Sequence, residues 1–312
     1  MTSNFPVPCK TNRLVLLFSR NALSYYLCIA TFSAVMTLVT ILLNCMFLAS
    51  VLHQKQMRKC ISTKLLIVLP LNDLLQGTLL WPLNIVNFSS FYKMQPNCLI
   101  QDSLNFVGYH IAAVTMSAIF LVTLEQFIAI LHPYFYIENV TFHRLVGPML
   151  LLNSIILLIN IPWAIKLIGM WMVYGKLSFL PLIFMIVIGL PYMHTKIIGC
   201  AANVAVKITA TNKEEGRQIK SRAKAAKSGL VVLIATLVCY SPSIGYNIFI
   251  LLSEPTPFMT TYIQTTAEIL ALLSSVVDPV VYYWRLKNIR TATKSMFHSI
   301  CKNHNHVHSV TI

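Results

Sequence analysis

Apolar residues gather into seven long stretches along the 312-residue chain, at about 23–51, 63–87, 101–131, 145–167, 178–208, 223–252 and 258–284, with short polar turns between them. Each stretch is near or above the roughly 20 residues that a helix needs to cross about 30 Å of hydrocarbon. The pattern predicts an all-α fold, a seven-transmembrane helix bundle spanning 23–284, with a short segment (1–22) before it and a tail (285–312) after it. The longest polar run, about 209–222, reads as a helix extension and turn, because Lys, Glu, Arg and Gln favour solvated helix and Gly216 interrupts them. Residues 1–22 hold only the brief apolar run Leu14–Phe18 between Arg13 and Arg20, so the first span is expected to act as its own insertion signal.

Composition agrees with a chain whose outer surface faces lipid. Hydrophobic residues make up 56% and charged residues 11%, with a mean hydropathy of +0.69, where soluble domains carry about 25% charge. The formal charge of +15 sorts by loop. If the first span runs outside to inside, 18 of the 24 basic residues fall on the cytoplasmic side, most of them between spans five and six and in the tail. That bias places the amino terminus outside and the carboxyl terminus inside. Because the charge sits in short juxtamembrane runs that suit anionic lipids, a nucleic-acid partner is not implied.

Polar groups at membrane depth are costly and need a partner or a purpose. Asn44 in span one, Asp73 in span two and Asp278 in span seven sit at comparable depths, with Ser274 and Ser275 close by in sequence. Two readings stay open: a structural polar network, or a cluster whose hydration, protonation or sodium occupancy at Asp73 and Asp278 changes between two conformations. Pro82, Pro162, Pro191, Pro242 and Pro279 predict bends in spans two, four, five, six and seven. Four of the eight cysteines fall inside spans, where thiols act as small hydrophobes. Cys9 and Cys98 are the outer pair, either joined by a disulfide or both free. Cys301 with His304, His306 and His308 could suggest a metal, but reads better as scatter in a polar tail. No cofactor or catalytic motif emerges.

Several strings occur in order along successive spans: Leu71-Asn72-Asp73-Leu74-Leu75, then Leu124-Glu125-Gln126-Phe127 followed by His132-Pro133-Tyr134, then Cys239-Tyr240-Ser241-Pro242, and Asp278-Pro279-Val280-Val281-Tyr282. Together these resemble the rhodopsin-like (class A) G-protein-coupled receptors over roughly residues 25–300, in a divergent form similar to invertebrate, including cnidarian, orphan receptors. The resemblance implies a receptor in the plasma membrane that converts binding of an extracellular small molecule or peptide into activation of a heterotrimeric G-protein, with arrestin as a further partner. It also implies a short amphipathic cytoplasmic helix from Arg285 to Phe297, and a water and sodium network around Asn44, Asp73, Ser274, Ser275 and Asp278. Tyr282 would turn inward on activation, or else anchor at the interface. Tyr240 would lie beneath the ligand pocket, or else be a packed core aromatic.

The departures carry equal weight. Gln126 stands where the family has arginine, and Arg222 where the base of span six is often acidic, so the usual ionic latch has neither end; Glu125 could pair with a cytoplasmic basic residue instead. Cys98 lies 28 residues before Gln126, three more than the family spacing, and the second outer loop, about 168–177, has no cysteine to meet it. Asn153 lies near the position of the family's span-four tryptophan. Candidate ligand contacts are Tyr109, Ala113, Tyr240, Asn247 and Glu268; Glu268 either meets a cationic group or snorkels toward water. Gly108 at the aminergic acid position and Leu272 at the opsin lysine position argue against those ligand classes. Asn87-Phe88-Ser89 is a glycosylation sequon at the outer end of span two, while Asn139-Val140-Thr141 should stay unmodified in a cytoplasmic loop. The alternative to a signalling receptor is a receptor-like partner or decoy with weak or absent G-protein coupling; a transporter fits less well, since no paired repeats are visible.

Overall fold

The computed structural model describes residues 20–54, 61–95, 97–164, 184, 188–207, 213–253, 256, 258–285, 289–296 and 298. It is helical throughout. We label α1 (Arg20–His53), α2 (Ile61–Leu75), α3 (Trp81–Tyr92), α4 (Cys98–Leu131), α5 (Pro133–Asn139), α6 (Phe142–Ala164), α7 (Leu190–Lys207), α8 (Lys213–Leu252), α9 (Gln264–Leu272) and α10 (Ser274–Arg285). Among the described residues, six stretches are long and apolar enough to cross a membrane, corresponding to predicted spans one to four, six and seven. Much of the predicted fifth span lies outside the described residues; α7 is its described part.

Helix α4 forms the axis. It packs against α2, α6, α7 and α8, while α1 closes the other side against α2, α3 and α10. One apolar core runs through the half of the bundle that carries the α4–α5 junction, built from Phe47, Leu65, Leu69, Met116, Leu121, Leu190, Leu233, Tyr240 and Tyr282 among others. A second, aromatic core fills the opposite half, where Tyr26, Trp81, Phe88 and Phe91 meet. The apolar residues left exposed, such as Leu38, Leu42, Leu150, Leu158 and Val238, lie on span surfaces, as a lipid-facing exterior requires.

Proline shapes the irregular turns. Predicted span two is two helices, α2 and α3, joined by a π turn over Gln76–Leu80 directly before Pro82. Pro82 has no N–H and its ring crowds the preceding turn, and widening that turn accommodates it. Pro70 lies inside α2 as well, a proline that is not among the five predicted to bend their spans. A second π turn, Met259–Ile263, precedes α9, and span seven is broken again at Leu273, whose N–H is shared between the carbonyls of Ile269 and Leu270. The last described helix, 289–296, buries Ile289, Ala292 and Thr293, and the Thr293 hydroxyl donates to Ser50 Oγ of α1 at 2.9 Å.

Candidate functional site

The centre of the bundle is polar because proline and the spacing of polar residues make it so. Pro279 cannot donate to the carbonyl four residues before it, that of Ser275. Asn44 of α1 supplies the missing donor: its Nδ2 reaches the Ser275 carbonyl at 2.8 Å and its own-helix Thr40 carbonyl at 3.0 Å. The Ser275 hydroxyl is in turn shared with Thr40 Oγ1 (3.3 Å) and accepts from Trp81 Nε1 (3.4 Å). Thus α1, α3 and α10 are pinned at one serine. The same rule acts in span six, where the Val238 carbonyl, released by Pro242, accepts the Ser241 hydroxyl at 3.1 Å.

Both carboxylates sit beside this knot and are almost wholly buried. Asp73 Oδ1 accepts from Gln76 Nε2 at 3.4 Å, and Asp278 Oδ1 accepts from Thr236 Oγ1 of α8 at 3.3 Å. They lie within electrostatic reach of each other. Tyr240 and Tyr282 are within reach of both, and the Tyr240 hydroxyl lies beside those of Ser274 and Thr115. Asn72, next to Asp73, faces α4 instead, donating to Thr115 Oγ1 at 2.6 Å and the Ile111 carbonyl at 3.1 Å. One oxygen each of Asn44, Asp73, Gln76 and Asp278 is buried with no hydrogen-bond donor among the described residues. All four are acceptors. The structure thus brings Asn44, Asp73, Ser274, Ser275, Asp278, Tyr282 and Tyr240 into one region.

Toward the other end lies a second polar group. Tyr109 of α4 donates to Asn247 Oδ1 of α8 at 3.2 Å, and Tyr246 donates to Gln264 Oε1 at 3.3 Å. Gln264 Nε2 continues to Glu268 Oε1 at 2.7 Å, and Glu268 and Tyr246 lie within electrostatic reach of Tyr109. Spans three, six and seven are therefore joined there by side chains. Ala113 is not part of this group; it packs against Ile156 and Leu152 of α6.

At the α4–α5 junction, Glu125 is buried and its Oε1 accepts the Tyr136 hydroxyl at 2.6 Å. This phenol, delivered by the short helix that Pro133 starts, is a partner that the sequence expectation of a cytoplasmic Arg or Lys does not include. Gln126 Oε1 is buried without a donor among the described residues. Arg222 lies on α8, but its side chain, like that of Cys98, is outside the described set, as is Cys9 altogether. The disulfide expectation for Cys9 and Cys98 therefore falls outside the described residues. Asn153, expected near the family's span-four tryptophan position, donates to Ser117 Oγ of α4 at 2.9 Å.

The sequon asparagine departs from expectation. Asn87 is 1% exposed, and the Nδ2 that would carry a glycan donates to Gln101 Oε1 at 2.9 Å. The reason is length: helix continues to Tyr92, five residues beyond the predicted end of span two, so Asn87 is held inside the bundle. Sequence reasoning also passed over Gln76, Thr40, Trp81, Thr236, Gln264 and Tyr136. Helical spacing was the available signal, since Gln76 is three residues after Asp73, Thr40 four before Asn44 and Gln264 four before Glu268.

Comparison with known proteins gives a single direction. Residues 43–282 match the 7 transmembrane receptor (rhodopsin family). Cannabinoid receptor 1 of Xenopus laevis is 24% identical over 310 residues, an alignment covering 88% of this chain. The chain spans 64% of the length of that relative. With most of its length matched, and with the Asp73–Asp278 centre buried between spans one, two, six and seven, the chain belongs to the rhodopsin family of seven-transmembrane receptors.

Proposed function

We propose that this protein is a plasma-membrane receptor, amino terminus outside, that converts binding of an extracellular small molecule or peptide into activation of a heterotrimeric G-protein, with arrestin as a second cytoplasmic partner. The observation that carries this reading is the buried polar centre. Two carboxylates, four oxygens without donors (two of them on those carboxylates) and two tyrosines, drawn from several helices, form an arrangement with more than one way to satisfy its hydrogen bonds, which a two-state switch requires. The Tyr109, Asn247 and Glu268 group supports a ligand site at the outer end, since it links three spans through groups that a bound ligand can compete for.

The same centre suits a sodium ion. The donor set is hard oxygen, it carries two carboxylates, and no basic side chain pairs with either carboxylate among the described residues. Asp73 and Asp278 would hold the ion, and its charge would offset their mutual repulsion. Asp73→Asn is expected to alter agonist response or sodium sensitivity while surface expression is retained.

A second reading, a partner or decoy without coupling, is favoured by one observation. Gln126 lacks the guanidinium fork that arginine would present to a G-protein. The test is recruitment of several G-protein classes and of arrestin to the expressed chain and to Gln126→Arg, normalised to surface staining. Recruitment by either form supports the receptor. Silence from both, with or without candidate ligands, moves the reading to the decoy.

A further inference from the structure

Gln76 is a glutamine at a position of span two buried as deeply as the apolar Leu65, Leu69 and Trp81. It is fully buried, at the start of the π turn. Burying a primary amide without satisfying it is unfavourable, so its presence needs a role. Its donor end is used, on Asp73 Oδ1; its acceptor end, Oε1, has no donor among the described residues. Several side-chain donors of the same polar centre are engaged elsewhere: Trp81 Nε1 with Ser275, Asn44 Nδ2 with two carbonyls, and Thr236 Oγ1 with Asp278.

What remains is one oxygen each of Asn44, Asp73, Gln76 and Asp278, buried without a hydrogen-bond donor among the described residues, two of them on carboxyl groups. A hydrogen-bond acceptor does not complement this group. A cation with oxygen ligands does.

We propose that Gln76 is a positioning residue for a monovalent cation held between Asp73 and Asp278, and that it sets how tightly that cation is held. Its amide N–H fixes Asp73 Oδ1, which leaves Oδ2 to face the cation, and its own Oε1 adds a neutral oxygen without adding charge. The π turn is what delivers it. Gly77, the next residue, has no side chain, and a Cβ there would stand 3.1 Å from Ile41 Cγ1 and Thr40 Cγ2, so α1 sits close enough to bring Asn44 to the same region. This inference rests on the cation reading of the centre made above, and the experiment separates the two.

The unfolding midpoint of the purified full-length chain in lipid nanodiscs is followed against sodium chloride, with choline chloride holding ionic strength constant and calcium chloride as a parallel arm. A ligand that binds the folded state raises the midpoint in a saturable way. The parent is expected to show a sodium-specific rise, and Asp73→Asn to lose it. Gln76→Leu should keep the rise but move half-saturation about tenfold higher, the usual scale for removing a group that orients a metal ligand. Gln76→Glu, which retains the length and the oxygen and adds charge, should move it lower. A parent with no sodium-specific rise removes the cation reading and this inference with it. A larger rise with calcium than with sodium overturns the monovalent assignment. A parent that responds through Asp73, while both Gln76 variants keep the parent's half-saturation, overturns the role of Gln76 alone. Should Gln76→Leu fail to fold, Gln76→Glu decides by the same comparison.

Discussion

Substituting Gly77 tests whether α1 is held against the π turn as closely as the geometry requires. A Cβ at this position meets Ile41 Cγ1 and Thr40 Cγ2 at 3.1 Å, against about 3.5–4.0 Å for an unstrained carbon contact. Alanine therefore overlaps two neighbours by a few tenths of an ångström, while gaining up to about 1 kcal/mol of helix propensity. The two effects nearly cancel. Valine adds two methyl groups on the same crowded side, and overpacking of this kind costs about 1–3 kcal/mol. Thr40 cannot give way freely, because its hydroxyl is already 3.3 Å from Ser275, and a further retreat of half an ångström takes it past hydrogen-bonding distance. At about 2 kcal/mol and about 2–4 °C per kcal/mol for a domain of this size, Gly77→Val should lower the melting temperature by about 4–8 °C, and Gly77→Ala should leave it within about 3 °C of the parent. Thermal unfolding of detergent-solubilised protein, read beside surface expression, measures both. A valine variant as stable as the parent would show that α1 and the π turn are not in this contact, and the packing argument for the centre would fall.

Two further outcomes follow from side-chain geometry. Asn87→Gln should leave electrophoretic mobility unchanged, with and without enzymatic deglycosylation, because the Asn87 amide is buried and engaged with Gln101; a mobility shift confined to the parent would place that residue at the surface. Asn72→Leu should cost about 1–2 kcal/mol for two lost hydrogen bonds, and most of that cost should disappear when Thr115→Val is already present, since Thr115 is the nearer of its partners at 2.6 Å; full additivity of the two substitutions would refute the contact.

The bundle was legible because seven apolar stretches exceed what a soluble chain of 312 residues needs, and because charged residues inside such stretches can hardly be accidental. Asp73 and Asp278 announce themselves in this way. Gln76, Thr40 and Thr236 do not, since a single Gln or Thr on an apolar helix can satisfy its own backbone and sit anywhere on the circumference. The π turn was invisible for a related reason: it is set by what Pro82 and Gly77 meet in three dimensions, not by composition. Ala113 shows a different ambiguity, for a small residue on α4 suits a ligand pocket or a close helix crossing equally well, and α6 packs against it here. Asn87 turns on a boundary, where five more residues of helix place a sequon expected at the outer end of span two inside the bundle.

Helix α4 holds 34 residues without a proline, whereas helices in spans two, four, six and seven each contain at least one. Tyr109 and Glu125 are sixteen positions apart on it, which is about 24 Å of continuous helix. Those spans can bend at their prolines; α4, like α1, has no such hinge in which to lose a displacement. A small rotation imposed at the Tyr109–Asn247 contact is therefore expected to reach the Glu125–Tyr136 contact, since one unbroken helix carries both, in the manner of a drive shaft.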